Sequence, residues 1–480
     1  MPFTDNTRRN VMKPWTWIIP FSLFAALWVA MPGAALADET KSLTVTVYNH
    51  GQALVNEVRS MNLPQGKGSV EFTGVAETVQ PATLQVRSLS AAEVFTVLDM
   101  NYEYDLVSVK ALLDRYVGKT LRVVLPDPRD RQSTELREAL LLANNDRPIF
   151  EVDGQIYVGG YESVYLAEMP RGLRPRPTLV WLVQNTGPAV QDIDVSYLAG
   201  GMDWQADYVL KVDRNNERAA LSGWVTLDNQ SGMAFEDASL KLVAGEVNVV
   251  RPEPARLRRD MAMAAPMAGE AMQEEEFFEY HLYSVPRPVD IANRQTKQIS
   301  LLQAPDMGLA KKLLARFDRY PSPGMGLIKQ GVAVFLTFKN SEANGLGLPL
   351  PQGVVRAYQE SKDGSTLFIG EDRVGHTPKD AEVELRMGEA FDLGVERRMI
   401  AHEQTGKNTV AYTWEIKVRN SKDEPQRVLL EDVVQGDWRI TKASHVYEKI
   451  DARRVRFTLD VPPSSVQDQL VVTYTVTTRF

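Results

Sequence analysis

Tyr412-Thr413-Trp414-Glu415-Ile416-Lys417-Val418-Arg419-Asn420 alternates apolar and polar residues along its length and stops at an asparagine. Side chains on a β-strand point to opposite faces in turn, so this stretch reads as a half-buried strand with Tyr412, Trp414, Ile416 and Val418 inward. The pattern recurs. Counting back by twos, Asn340 is preceded by Phe338, Leu336, Val334 and Val332, Asn229 by Leu227, Val225, Gly223 and Leu221, and Asn185 by Val183, Trp181 and Leu179. Each asparagine opens a polar turn: Asn185-Thr186-Gly187, Asn229-Gln230-Ser231-Gly232, Asn340-Ser341-Glu342 and Asn420-Ser421-Lys422. Asparagine suits such corners because its short side chain bonds nearby backbone and tolerates left-handed conformations. The repetition predicts equivalent strands in successive sandwich-like units. The competing reading is coincidence among strand ends, since asparagine is common in turns.

Working outward, Leu43-Thr44-Val45-Thr46-Val47-Tyr48 alternates in the same way, and so do Val455, Phe457, Leu459 and Val461 near the other end. Asn49-His50-Gly51, Leu63-Pro64-Gln65-Gly66 and Asp363-Gly364 supply turns between short strands. Helical spacing is sparse. Leu106, Val109, Leu112, Leu113 and Tyr116 predict a helix that Gly118 stops, and Leu309, Leu313, Leu314 and Phe317 predict a second over Leu309–Tyr320, ended by Pro321. Glu135 to Ala143 fits a third helix or a paired strand equally well. The expected class is mainly β: several antiparallel β-sandwich or small-barrel units with one or two short helices.

The chain has 480 residues and 44% hydrophobic positions, ample for two to four units that each bury a core. The expected division is a signal peptide at 1–37, an N-terminal β domain with a terminal helix at 38–118, a small barrel-like unit at 119–170, and sandwich regions at 171–250 and 279–480. Between the last two, 251–278 reads as a disordered linker. It opens on Arg251-Pro252-Glu253-Pro254, carries Arg256, Arg258 and Arg259, then an Ala/Met stretch, and ends in Glu274-Glu275-Glu276, with little to bury.

Arg8, Arg9 and Lys13 precede an apolar run of 16 residues, Trp15 to Ala30, and then Ala35-Leu36-Ala37. That is the order of a secretory signal cleaved after Ala37, and the run, broken by Pro20, is shorter than the roughly 20 residues a membrane span needs. The twin arginines resemble a twin-arginine signal if translation starts at Met1 rather than Met12. The expected location is periplasmic or secreted, with no transmembrane span in the mature form.

Chemistry is constrained by what is missing. With no cysteine there is no disulfide, thiolate metal site or cysteine nucleophile. With 54 basic and 62 acidic residues, the net charge of −8 argues against nucleic acid as a partner. G-x-S-x-G, G-x-x-x-x-G-K, G-x-G-x-x-G, S-x-x-K and EF-hand patterns are absent from the sequence. His402-Glu403 begins like a zincin helix, but Gly406 replaces the second histidine. His50, His281, His376, His402 and His445 are scattered singly, which reads as structural rather than metal-binding. Met261, Met263, Met267 and Met272 are soft donors on a linker, yet no histidine or cysteine completes a copper site, so an Ala/Met-biased linker is the preferred reading.

Asp203-Trp204-Gln205-Ala206-Asp207-Tyr208, if extended, puts Asp203, Gln205 and Asp207 on one face and Trp204, Ala206 and Tyr208 on the other. An aromatic platform beside carboxylates suits a sugar ring, and Asp203 with Asp207 suits glycoside hydrolysis. An inward aromatic face and a wet polar face explain the same spacing and are preferred. Leu470, Val472, Tyr474, Val476, Thr478 and Phe480 resemble a terminal outer-membrane-barrel strand but read as the last strand of a sandwich, because most other strands are short and charge-broken.

Tyr48-Asn49-His50-Gly51, Asn101-Tyr102-Glu103-Tyr104-Asp105-Leu106, Pro177-Thr178-Leu179-Val180-Trp181, Trp204-Gln205-Ala206-Asp207-Tyr208, Phe235-Glu236-Asp237, Glu279-Tyr280-His281-Leu282-Tyr283 and Gly345-Leu346-Gly347-Leu348-Pro349-Leu350-Pro351 together resemble an exported bacterial family, domain of unknown function 4139. That family is distantly similar to mucoidy-inhibitor proteins. The Ala/Met stretch at 255–273 and the expected 309–320 helix depart from it. The resemblance implies an all-β envelope protein with no catalytic, cofactor or metal residue to carry over.

The resulting expectation is a non-enzymatic binding or scaffolding module of the cell envelope, with an envelope protein or glycan as partner. The alternative is a carboxylate-dependent hydrolase acting on envelope glycan or peptide.

Overall fold

The computed structural model describes residues 38–127, 130–170, 172–245, 247–248, 272–319, 324 and 326–479. Strand accounts for 66% and helix for 4%, so the expected mainly β class holds. The expected signal at 1–37, nearly all of the Ala/Met stretch and Phe480 lie outside the described residues.

Asn49-His50-Gly51 turns β1 (Glu39–Tyr48) into β2 (Gln52–Asn62), with Gly51 at φ +77°, where a Cβ would be strained. β1 and β2 sit inside an eight-stranded sheet. β2 pairs antiparallel with Val190–Gly200, and β1 pairs parallel with Phe235–Ala244, from Thr44 opposite Ser239 to Tyr48 opposite Val243. A three-stranded sheet (Gly66–Thr73, Thr178–Asn185, Phe95–Glu103) and a five-stranded sheet (Gln295–Gly308, Arg218–Asn229, Met202–Val212, Gly353–Glu360, Thr366–Val374) pack against the same interior. Val45, Val55, Phe72, Trp181, Tyr197, Leu227 and Leu240 are all fully buried in this core, and Trp181 stacks on Phe72 with ring centroids 5.3 Å apart. Such a pair adds about 0.5–1.5 kcal/mol beyond area burial.

A smaller five-stranded sheet (Ser163–Tyr165, Thr120–Asp127, Asp130–Asn144, Pro148–Val152, Gln155–Tyr157) has its own core, covered by helix α1, Val109–Asp114. The helix is where the spacing places it. Ser108 caps its first turn by accepting from the Ala111 amide at 3.0 Å, and Leu113 is buried. Glu135 to Ala143, the ambiguous segment, is strand.

The third core lies within a nine-stranded sheet whose edge strands are Asp437–Ala443 and Tyr447–Asp451. Only residues 444–446 separate those two edges in sequence, which limits the gap between Ala443 and Tyr447 to about 15 Å. The sheet therefore curls back on itself around Trp414, Phe457, Tyr474 and their neighbours.

Two expectations need correction. Leu309–Tyr320 is not a helix: Ala310–Arg316 is an interior strand of the nine-stranded sheet, antiparallel to Ile328–Lys339 and parallel to Gln426–Val433. Leu313, Leu314 and Ala315 are buried in succession, and a short apolar run enclosed on both faces has no period with which to tell helix from strand. The acidic end of the expected disordered segment also pairs: Gln273–Phe277 lies antiparallel to Tyr280–Ser284, and Met272 is buried in the first core. The sheets are moreover mixed, with parallel pairs at β1, at Met202–Val212 against Gly353–Glu360, and at Ala310–Arg316.

The four corner asparagines are all completely buried. Asn185, Asn229 and Asn420 each end a strand and accept through Oδ1 from the amide two residues on, at 2.9, 3.0 and 3.0 Å respectively. Asn340, one residue past its strand, accepts from the Gly347 amide at 3.2 Å instead. Every Nδ2 donates to a backbone carbonyl, among them Pro188, Met233, Leu348 and Glu424. These side chains satisfy backbone groups that a strand end leaves unpaired inside the protein.

Candidate functional site: a polar cleft beside strand β1

The inward positions of β2 read Ala53, Val55, Glu57, Arg59 and Met61, all buried. Two ionic residues thus interrupt a stripe that otherwise faces the core. They survive there because they pair and find further partners. Arg59 Nε donates to Glu57 Oε1 at 2.5 Å and Nη2 to Oε2 at 2.8 Å, a bidentate geometry, while Nη1 donates to the Thr73 carbonyl at 2.7 Å. The guanidinium lies 3.8 Å from the Phe72 ring centre, and the Thr40 hydroxyl donates to Glu57 at 2.8 Å.

This pair lines a cleft of about 970 Å³. One wall is Thr40 to Thr44 of β1, and the facing wall carries Glu236, Asp237 and Ser239 of the Phe235–Ala244 strand with Pro288. Thr73 to Val75, Glu77, Leu106, Pro175 to Pro177 and Gly232 to Ala234 complete the lining. The opening has a local cause. β1 and Phe235–Ala244 pair in parallel only from Thr44 and Ser239 onward. Just before that point Asp237 adopts φ 51°, and the strand shifts register against Val289–Ile291 between Phe235 and Ala238. A left-handed residue at a bulge bends its strand, so the two parallel strands splay apart and the cleft fills the gap.

Lys41 is held by Asp192 at 2.7 Å, and Arg59 by Glu57. Glu77, Glu236, Asp237 and Arg176 are exposed lining residues with no ion pair among the described residues. Three free carboxylates against one guanidinium leave the cleft electronegative.

The carboxylates singled out from sequence lie elsewhere. Met202–Val212 is extended as expected, with Trp204, Ala206 and Tyr208 buried and Asp203 and Gln205 exposed. Asp207 is nevertheless buried, bonded to Arg356 at 2.9 Å and to the Thr226 hydroxyl at 2.7 Å. Asp203 accepts from the Trp204 amide at 2.9 Å and stands opposite Asp228. Four residues along one strand separate Asp203 from Asp207 by about 13 Å, beyond the roughly 5–10 Å of a glycosidase pair. Neither lines the cleft.

The histidines keep separate company: His281 bonds Glu274 at 2.8 Å, His445 the Ser444 hydroxyl at 2.8 Å, and His402 packs on Tyr412. Among the described residues no three histidine or carboxylate side chains gather to hold a metal, and no helix is long and apolar enough to cross a membrane. Glu57 and Arg59 are not among the residues singled out from sequence, although their place in the Ala53 to Met61 stripe is a usable signal. Asp237 carried no such signal, because its left-handed backbone is set by its neighbours.

A search of curated proteins found no match to the chain. An N-terminal domain of unknown function, DUF4140, matches residues 45–141, which contain β2 and the Glu57–Arg59 pair. The domain of unknown function DUF4139 matches residues 193–436, which contain the facing wall of the cleft, and the chain belongs to that family.

Proposed function

We propose that the protein is an exported, non-enzymatic binding or scaffolding module of the cell envelope, and that the cleft beside β1 is where it holds its partner. The observation that supports this reading most is the cleft's composition. Hydroxyls, a strand edge and unpaired carboxylates surround an ion pair whose groups are occupied with each other, an arrangement suited to recognising backbone and cationic groups. Export rests on the charged, apolar and small-residue order before Asp38. The hydrolase alternative loses its main support in the separation of Asp203 from Asp207.

The test is an affinity pull-down from envelope extract with the protein and with its Glu77→Gln/Glu236→Gln/Asp237→Asn variant as paired baits. A stoichiometric macromolecule captured by the first and lost by the second is the expected result. Equal capture by both baits overturns the cleft assignment, and turnover of a glycan or peptide panel overturns the non-enzymatic reading.

A further inference from the structure

Resting on that reading, we propose that the cleft receives an extended cationic polypeptide segment, which adds as a strand to the free edge of β1 between Glu39 and Leu43. Three observations converge on this chemistry. First, β1 pairs with β2 along one edge, but on the other its pairing with Phe235–Ala244 begins only at Thr44, so the backbone groups of residues 39–43 on that side have no strand partner among the described residues. An open edge of this kind is a template for one more strand.

Second, the edge borders a cleft. Thr40 to Leu43 share that cleft with the facing wall at Glu236 to Ser239 and the Pro175 to Pro177 segment, which offers a further chain contacts beyond the edge itself. Five residues of edge correspond to about 17 Å of strand, the length of a five- or six-residue segment. Third, the unpaired carboxylates of Glu77, Glu236 and Asp237 outnumber the single unpaired Arg176, which selects lysine or arginine side chains over acidic ones. A glycan can bond single backbone groups through its hydroxyls, but it does not match the regular spacing of amides and carbonyls along a strand edge as a second strand does.

The probe is a fluorescent, end-blocked hexapeptide of alternating lysine and valine, titrated against the full protein by anisotropy. Saturable binding is expected, weakening several-fold as ionic strength rises from about 0.05 to 0.3 M. The glutamate–valine counterpart should not bind. Two further peptides are N-methylated at alternate residues in the two possible phases, and at least one should lose about tenfold in affinity, because a strand presents amides to a given edge every second residue. Glu77→Gln/Glu236→Gln/Asp237→Asn should weaken the lysine peptide about tenfold while leaving the melting temperature in place.

Absence of saturable binding at about 1 mM, unchanged affinity for both N-methylated peptides, or chitotriose competing for the site in their place each overturns strand addition. The two readings fail separately. Capture of a cleft-dependent partner from envelope extract alongside a silent peptide titration removes the strand and leaves the binding module. Cleft-independent capture with peptide binding intact does the reverse.

Discussion

Arg59 and Arg397 are both buried arginines stacked on an aromatic ring and paired with one carboxylate, yet they occupy opposite kinds of enclosure. Arg59, over Phe72, pairs with Glu57 at the floor of a cleft of about 970 Å³. Arg397 and its partner Asp432 are each 1% exposed inside the curled nine-stranded sheet. Phe317 and Trp414 lie 4.3 and 5.1 Å from the Arg397 guanidinium, and the Tyr474 hydroxyl donates to Asp432 at 2.5 Å. Among the described residues Arg397 Nε has no hydrogen-bond partner. Burial pushes the Asp432 carboxyl up to about 6, against the opposing pull of Arg397, Tyr474 and the Val433 amide. The contrast teaches that a buried ion pair is not by itself a site. Access to solvent decides whether its surroundings can serve recognition or only hold the core together.

The largest effect should come from the enclosed pair. Asp432→Ala leaves Arg397 charged and 1% exposed without its counter-ion, with the Arg319 carbonyl still accepting from Nη2, and should cost about 3–5 kcal/mol in equilibrium denaturation. Glu57→Ala should cost less, about 1–3 kcal/mol, because Arg59 lines the cleft, where solvent can reach it. Equal losses for the two variants would erase the distinction between open and closed enclosures.

The smallest effect is in pH dependence. Asp432 binds its proton more tightly in the folded state than an ordinary aspartate, whose value is 3.8, so the folded protein holds the extra proton between about 4 and 6. Its contribution to stability is therefore greatest below that window and is lost as pH rises through it. Comparing the protein with Asp432→Asn by denaturation at several pH values isolates this component from the many surface carboxylates. A difference between the two that stays constant from pH 4 to 6 would show that Arg397 and Tyr474, not burial, govern the group.

The strands and their corners were legible in sequence because both are local. Alternation needs only neighbours two apart, and Asn185, Asn229 and Asn420 bond the amide two residues on. Ser108 and the spacing of Leu112, Leu113 and Tyr116 likewise announce α1 within one short window. Ala310–Arg316 failed the same test because its residues are enclosed by partners from 328–339 and 426–433, which no short window contains. The cleft was harder still. Its two walls lie nearly two hundred positions apart, and the bend that opens it depends on the φ of Asp237.

From its residues alone this protein is determined to be β-rich, free of thiol chemistry, acidic, and punctuated by asparagine corners, since period-two burial and side-chain-to-backbone bonding act over a few positions. Which strands become neighbours, where two parallel partners part, and which of two arginine–carboxylate pairs meets solvent were decided only in three dimensions. Those outcomes depend on contacts between segments distant in the chain, and the closure of such contacts leaves no local periodicity to read.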